Sequence, residues 1–387
     1  MSVPFHELRV SAIVRETPEC SSFELSVPAT LKEAYSYKAG QHLTFVFPWQ
    51  GFEISRCYSL SSAPELDANL RVAVKRVPGG RISNWMNEQL SLGDTVRVSV
   101  PQGRFVLDPH TRPSMPLLFF AGGSGITPIL SLIKSALATS KRRMKLVYAN
   151  RDSTSVIYGA ELEELARSNP QRFELCHHLD ERQGQLGAEA VTAHLQGFEE
   201  GEFYVCGPEP FMDLVDQTLT EKGIHEELVY VERFISPVDP DRASPELNDE
   251  TVFDAPESFS LWLEGRSRTV PYVQGKTLLQ CAHDAGLTPA SSCESGFCGS
   301  CMAHVNTGSV HMRRHEALSE REIARGVALL CQSIPASPEP LELDCDSTSF
   351  RTASAVKSSY SKRVSQLGVA ACFAFMLAGT LILRFVP

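Results

Sequence analysis

The chain changes its hydrophobic pattern twice. Over the first 110 residues apolar and polar positions alternate in short runs: LRVSAIVRE (8–16), HLTFVFP (42–48), LRVAVKRV (70–77), DTVRVSV (94–100) and GRFVL (103–107). Alternation of period two buries one face of each run. Turn signals at Pro-Gly-Gly 78–80 and Leu-Gly-Asp 92–94 separate the runs. The pattern predicts an antiparallel β-barrel or sandwich over 5–110, with one helical insertion at SNWMNEQL (83–90).

From residue 117 continuous apolar runs take over: LLFFA, MKLVYANR, FELCHHL and EFYVCG, interleaved with helix-like stretches such as ELEELAR and AVTAHL. Strands buried on both faces and alternating with helices predict an α/β domain with a parallel sheet over 111–235. Residues 236–256 hold four prolines and six Asp or Glu and read as a linker. A smaller domain is expected over 257–347, with strands FSLWLE and RTVPYV, helix LLQCAHDAG, helix LSEREIARG and strand LELDCD. Residues 348–366 are Ser-rich with four positive charges and no negative ones, and read as a basic tether.

The 17 residues 367–383 carry no charge. At a 1.5 Å rise they reach about 25 Å, short of a hydrocarbon core of about 30 Å, but the flanking residues lengthen the run and Arg384 can snorkel. The run has no polar face, so a transmembrane helix is expected over 367–386. The basic tether would then lie on the cytoplasmic face of the inner or plasma membrane, making the chain tail-anchored with membrane lipid as a partner.

Composition narrows the class. The chain has 387 residues, 43% of them apolar, with 25 Gly and 24 Pro, which excludes a disordered or collagen-like protein. Lys and Arg number 36 against 46 Asp and Glu, a net charge of -10 that argues against a nucleic-acid partner. The first 20 residues include Glu7, Arg9, Arg15 and Glu16 and no apolar h-region, so a secretory signal is not expected. Eleven cysteines in a reducing setting point to metal or redox chemistry rather than disulfides.

Four of these cysteines carry the strongest signal. Cys293, Cys298 and Cys301 have the spacing C-x4-C-x2-C, and Cys331 comes after 29 intervening residues. Four soft thiolates at this spacing fit a plant-type [2Fe-2S] cluster, and the small residues of SSCESGFCGSC suit a loop that must approach inorganic sulfide. A structural zinc site would instead show two short C-x2-4-C pairs.

Two further motifs point to nucleotide cofactors. Arg56-Cys57-Tyr58-Ser59 follows a strand-like run, and Gly80-Arg81-Ile82-Ser83 opens the predicted helix. The Arg56 guanidinium can meet a pyrophosphate bidentately, and amides near Ile82 and Ser83 can meet the same anion at a helix N-terminus. FAD is therefore preferred over FMN. Gly122-Gly123-Ser124-Gly125-Ile126-Thr127-Pro128 follows a buried strand and opens a helix, where glycines permit a dinucleotide to approach the backbone. Cys206-Gly207-Pro208 follows EFYV, and Arg151 ends MKLVYANR as a candidate adenosine or phosphate contact.

These motifs resemble the R-x-Y-S, G-G-x-G-x-T-P and C-G-P motifs of the ferredoxin-NADP reductase superfamily. The domain order is similar to that of oxygenase and desaturase reductase components with a C-terminal plant-type [2Fe-2S] ferredoxin domain, as in the phenylacetyl-CoA epoxidase and 3-ketosteroid 9α-hydroxylase systems. The resemblance spans residues 5–347. It implies a six-stranded antiparallel β-barrel binding FAD, an α/β parallel-sheet domain binding NADH or NADPH, and a β-grasp [2Fe-2S] domain. It also places Tyr58 along the isoalloxazine ring, Ser59 near flavin N5, Cys206 and Pro208 by the nicotinamide, and Phe234 near the flavin. In place of the Ser-Arg pair that grips a 2'-phosphate in NADPH-dependent members, this chain has Asp180 and Glu181. NADH is slightly favoured.

The implied activity is that of an NAD(P)H-dependent oxidoreductase: a hydride is an electron pair, a [2Fe-2S] centre takes one electron, and a flavin converts between them. No oxygen-activating motif is evident, so the acceptor is expected on another protein, a terminal oxygenase or desaturase. Combined with the tail, this favours a membrane-bound di-iron enzyme as acceptor. The alternatives are a soluble Rieske-type oxygenase or a role as a membrane-tethered redox-sensing adaptor.

Overall fold

The computed structural model describes residues 3–108, 111–233, 255–315 and 317–347. Three sheets carry the architecture. In the first, β1 (Phe5–Thr17), β2 (Cys20–Ser26), β3 (His42–Trp49), β4 (Phe52–Ser59), β5 (Leu70–Lys75) and β6 (Thr95–Ser99) pair antiparallel in the order β4-β3-β6-β1-β2-β5. A bridge between Leu60 and Val72 draws the two edges together, so the sheet is barrel-like. Alternate side chains such as Leu8, Phe23, Leu43, Phe45, Val72 and Val98 fill its interior. Helix α1 (Arg81–Glu88) closes one end with Ile82 and Met86.

The second sheet is parallel. It contains β7 (Leu117–Gly122), β8 (Met144–Asn150), β9 (Phe173–Leu179), β10 (Glu202–Gly207) and β11 (Val229–Arg233) in the order β11-β10-β7-β8-β9. The connecting helices α2 (Ile126–Thr139), α3 (Gly159–Ser168), α4 (Asp180–Gln183), α5 (Ala188–His194) and α6 (Glu209–Glu221) supply two apolar layers, one on each face. Every residue of β7 and β10 is buried, as expected of a central strand covered on both sides.

The third sheet is mixed. It is built from β12 (Ser258–Leu263), β13 (Arg266–Pro271), β14 (Met302–Thr307), β16 (Val327–Leu329) and β18 (Leu341–Asp344), in the order β13-β12-β18-β14-β16. Helix α7 (Leu278–Asp284) packs Leu278, Leu279, Cys281 and Ala282 into its core, a β-grasp arrangement. A separate ribbon joins β15 (Val310–Met312) to β17 (Ser333–Pro335), and helix α8 (Glu320–Ala324) lies between them in sequence.

Two expectations require correction. GRFVL (103–107) is not a strand: Phe105 and Leu107 leave the barrel and join the core of the parallel sheet, with Phe105 edge-on to Tyr204 at 5.5 Å. The six strands are completed instead by β2 and β4, neither of which shows clean alternation. The second correction concerns the transmembrane helix. Among the described residues no helix is long and apolar enough to cross a membrane. The longest, α2, has 14 residues and spans about 21 Å, below a core of about 30 Å. Residues 348–366 and 367–386, on which the tether and the tail anchor were placed, lie outside the described residues, as do Phe234 and most of the linker. Tail-anchoring, a lipid partner and a location at the membrane face are therefore not carried further.

Candidate functional site

The flavin motif sits on β4, where pairing with β3 sets Phe45 opposite Arg56, Leu43 opposite Tyr58 and His42 opposite Ser59. The Tyr58 ring stands edge-on to Phe45 at 5.3 Å, which fixes its plane. Ser59 is 2% exposed and its buried Oγ has no hydrogen-bond partner. Such an orphaned hydroxyl suits a flavin heteroatom as partner. The Arg56 Nη1 donates to the Ser55 carbonyl at 2.9 Å.

Helix α1 begins at Gly80 with no capping side chain and no acidic residue in its first turn, so the amides of Arg81, Ile82 and Ser83 are open to an anion. Ser83 Oγ accepts from the Val77 amide at 3.1 Å, and a Cβ on Gly80 would lie 2.7 Å from that oxygen. The glycine keeps this turn open. Together the buried hydroxyl, the arginine and the uncapped helix start fit FAD.

The nucleotide motifs, 80 residues apart, meet at the carboxyl edge of the parallel sheet. Gly122 ends β7, Gly123 turns at φ 51° and Gly125 lies against the end of β10. A Cβ on Gly125 would stand 2.1 Å from the Cys206 carbonyl oxygen, and one on Gly122 would stand 2.8 Å from Pro208 Cδ. Thr127 is buried and its Oγ1 donates to the Ser124 carbonyl at 3.0 Å. Pro128, in the first turn of α2, gives up an amide that would have had no intrahelical partner. Gly207 continues the β10 turn. These glycines let the start of α2 pack directly against the end of β10, bringing both motifs to one helix start, and that arrangement fits a dinucleotide.

Cys206 is fully buried, and burial first and Glu232 second push its thiol well above the ordinary range. It is neutral and is no nucleophile. Arg151, after β8, is exposed; its Nη2 pairs with Glu19 at 2.9 Å and its carbonyl accepts from the Glu181 amide at 2.9 Å. That bond holds Asp180 and Glu181 at the start of α4, beside Arg151.

His42 and Glu232 belong to no motif in the sequence, yet they join the two motifs in space. Glu232 pairs with Cys206 across β10 and β11, its Oε1 lies 3.9 Å from His42 Nδ1, and His42 pairs with Ser59. Burial lowers the His42 imidazole, whose Nε2 has no partner, and burial raises Glu232 to about 7. Burial thus favours the neutral form of each side chain. The folded chain holds the Glu232 proton more tightly than the unfolded chain from the ordinary 4.5 up to about 7. Stability contributed here thus falls as pH rises through that window, and the loss is complete above it. Glu232→Gln should flatten the decline of Tm between about pH 5 and 7.5. A Tm profile identical to that of the unmodified chain would contradict this assignment.

Three of the four cysteines lie in a loop, 288–301, without regular structure, and Cys331 lies beside it. Glu294, Gly296 and Gly299 adopt positive φ, and a Cβ on Gly299 would meet Met302 Cε at 2.9 Å. The thiols lie in two neighbouring pairs, Cys293 with Cys298 and Cys301 with Cys331. Within each pair the neighbouring sulfur pushes one thiol down (Cys298, Cys331) and the other up (Cys293, Cys301). Among the described residues no three or more His, Cys, Asp or Glu are arranged to hold a single metal ion. Two pairs of soft donors suit a binuclear iron-sulfur centre, one pair for each iron, better than a tetrahedral zinc. Amides of Phe297 (3.4 Å to Cys293 Sγ), Cys293 and Ser300 (each 3.5 Å to Cys298 Sγ) point at the sulfurs.

This loop rests on the barrel. Thr44 Oγ1 lies 2.6 Å from Ser292 Oγ and 3.4 Å from Cys57 Sγ, and Ser300 Oγ donates to Gln102 Oε1 at 3.1 Å. Helix α8 fastens the arrangement from the other side: Glu322 pairs with Arg104, in the segment that leaves the barrel, at 2.7 Å, Arg321 with Asp216 of α6 at 3.2 Å, and Arg325 with Glu226. The three sites are thus brought to one junction.

Comparison with known proteins gives the same three parts. Residues 7–107 match the oxidoreductase FAD-binding domain family, 119–217 the oxidoreductase NAD-binding domain and 262–336 the 2Fe-2S iron-sulfur cluster binding domain. The chain is 37% identical over 334 residues to the ferredoxin reductase component of 3-ketosteroid-9-alpha-monooxygenase from Rhodococcus rhodochrous, covering 85% of this chain and 93% of that one. It is 31% identical to a component of the 1,2-phenylacetyl-CoA epoxidase of Escherichia coli, covering 86% and 95%. Among solved structures it is similar to phthalate dioxygenase reductase, with TM-score 0.55, 26% identity and coverage of 88% and 98%.

Proposed function

The chain belongs to the ferredoxin-NADP reductase superfamily, as an NAD(P)H-dependent oxidoreductase with FAD, NAD-binding and C-terminal [2Fe-2S] domains, and from that premise we propose that it is the reductase component of a multicomponent oxygenase. Bound FAD and the [2Fe-2S] centre supply conversion of an electron pair into single electrons. Arg56 and the amides of Arg81, Ile82 and Ser83 hold the FAD pyrophosphate, with Gly80 leaving them open. Tyr58 and Ser59 would line the flavin ring, with the unpartnered Ser59 hydroxyl available to donate to it. Gly122, Gly123, Gly125, Thr127 and Pro128 form the wall that receives the dinucleotide, and Cys206, Gly207 and Pro208 bring its nicotinamide end toward the flavin. His42 and Glu232, 3.9 Å apart and both buried, line the space between the two motifs. Cys293, Cys298, Cys301 and Cys331 hold the irons.

The single observation that carries this reading is the seating of the cysteine loop on β3, the strand paired with that of the flavin motif. The membrane-bound di-iron acceptor expected from the tail is dropped. Among the described residues no helix can cross a membrane, and the similar chains are named as components of a 3-ketosteroid monooxygenase and a phenylacetyl-CoA epoxidase. A Rieske-type oxygenase is the preferred acceptor. NADH-driven reduction of cytochrome c at several turnovers per second tests the reading; flavin reduction without onward turnover would favour a redox-sensing role.

NADH is the preferred donor. Arg151 is engaged by Glu19, and the acidic Asp180 and Glu181 lie beside it, where like charge would oppose a 2'-phosphate. NADH should exceed NADPH in kcat/KM by at least about tenfold, and Asp180→Ala with Glu181→Ala should narrow that ratio several-fold. Equal kcat/KM for the two donors would overturn the preference.

A further inference from the structure

Helix α2 is buried from Ile126 to Ala136, yet it carries Thr127, Ser131, Lys134 and Ser135 at the spacing of a single helix face. Thr127 belongs to the dinucleotide turn. The other three reach into the barrel domain. Ser131 Oγ donates to the Ser62 carbonyl at 2.5 Å and accepts from the Gly40 amide at 3.2 Å. Lys134 Nζ lies 2.8 Å from Asp67 Oδ2, and Ser135 Oγ donates to Glu65 Oε1 at 2.9 Å. Their partners Ser62, Glu65 and Asp67 lie in the segment 60–67, which directly follows Ser59 of the flavin motif.

The seam is braced on both sides. Asp67 Oδ2 also accepts from the Ala63 amide at 2.6 Å, which closes the segment on itself. Glu161 of α3 takes Lys134 at 3.0 Å and Arg71 of β5 at 2.8 Å. Apolar surfaces can slide past one another at small cost. A buried polar network cannot, because sliding leaves several donors and acceptors unpaired together.

We infer that Ser131 and Lys134 are positioning residues for hydride transfer, locking α2 to the segment behind the flavin motif and so fixing the separation of nicotinamide and flavin. This deepens the proposed function and rests on it. The step served moves a hydride, two electrons with one hydrogen nucleus, from NADH to FAD, leaving NAD+ and reduced flavin. No group of the seam changes its bonding or protonation. The turn 122–127 stays on its own sheet, so dinucleotide affinity does not depend on the seam. The rate does, since a misplacement of about 1 Å can cost about a hundredfold.

FAD-loaded Ser131→Ala and Lys134→Met proteins are mixed anaerobically with NADH, and the limiting rate of flavin reduction is separated from the NADH Kd. Each variant should lower the limiting rate about ten- to a hundredfold with Kd within about threefold, while dithionite reduces the flavin fully. Without NADH, amide hydrogen exchange over 60–67 should quicken several-fold in both. Ser131→Ala removes one oxygen atom and decides the matter alone should Lys134→Met fail to fold. Unmodified limiting rates, unmodified exchange over 60–67, or a loss confined to Kd would overturn the inference. Failure of NADH to reduce the flavin of the unmodified protein, where dithionite succeeds, would instead overturn the proposed function.

Discussion

A Cys298→Ser protein should lose cytochrome c reduction by about a hundredfold while its NADH-driven ferricyanide reduction stays within about twofold of the unmodified chain. Cys298 sits in the loop that rests on the barrel through Ser292 and Ser300, and its sulfur accepts from the Cys293 and Ser300 amides. A serine hydroxyl is a harder donor with a far higher pKa and a shorter reach, so the centre should not assemble stably. The hydride step depends on other parts of the chain. Tyr58 and Ser59 lie on β4, and the glycine cradle on the parallel sheet, each with its own core cluster. Flavin content, iron content and both reductase activities check this together. Loss of both activities with FAD still bound would contradict a route in which the iron-sulfur site follows the flavin.

Gly125→Ala should have the opposite signature. The glycine has an ordinary helical φ of -61°, so the difficulty is not backbone conformation but space. The new methyl would stand 2.1 Å from the Cys206 carbonyl oxygen, 2.4 Å from its carbon and 2.7 Å from the Gly207 nitrogen. All three are backbone atoms of a buried strand end, and they can yield only if the first turn of α2 separates from β10. Overpacking of this kind costs about 1–3 kcal/mol and shifts the cradle. We expect kcat/KM for NADH to fall at least about tenfold in ferricyanide reduction, with FAD and iron content intact and chemical reduction of both sites unimpaired. Unaltered NADH kinetics at an unaltered Tm would show that the two motifs are not packed as described.

The residues legible in the sequence are those whose chemistry is local. The C-x4-C-x2-C spacing, the glycine turn before α2 and the uncapped start of α1 are each set within a short stretch of chain, and the run of buried strands from Leu117 to Gly207 announces its own sheet. Strand β2 is hidden because Ser21 and Ser22 are buried polar residues, which mask its alternation. GRFVL misleads for the converse reason: Phe105 and Leu107 are apolar and regularly spaced, yet they are buried by the nucleotide domain, not by the barrel. His42, Thr44 and Glu232 have no motif at all, and Cys57 fills a position that its motif leaves open. Their significance arises from contacts such as Thr44 with Ser292, 248 residues apart, which only the docking of domains creates.

On the proposed route electrons pass from the nicotinamide site to the flavin site and then across the β3 face to the iron-sulfur site. Anaerobic rapid mixing with NADH, followed by flavin absorbance and freeze-quenched electron paramagnetic resonance, tests it directly. Flavin bleaching should precede the reduced iron-sulfur signal, and protein stripped of FAD should give no such signal. Appearance of the signal at the same rate without FAD would contradict the account.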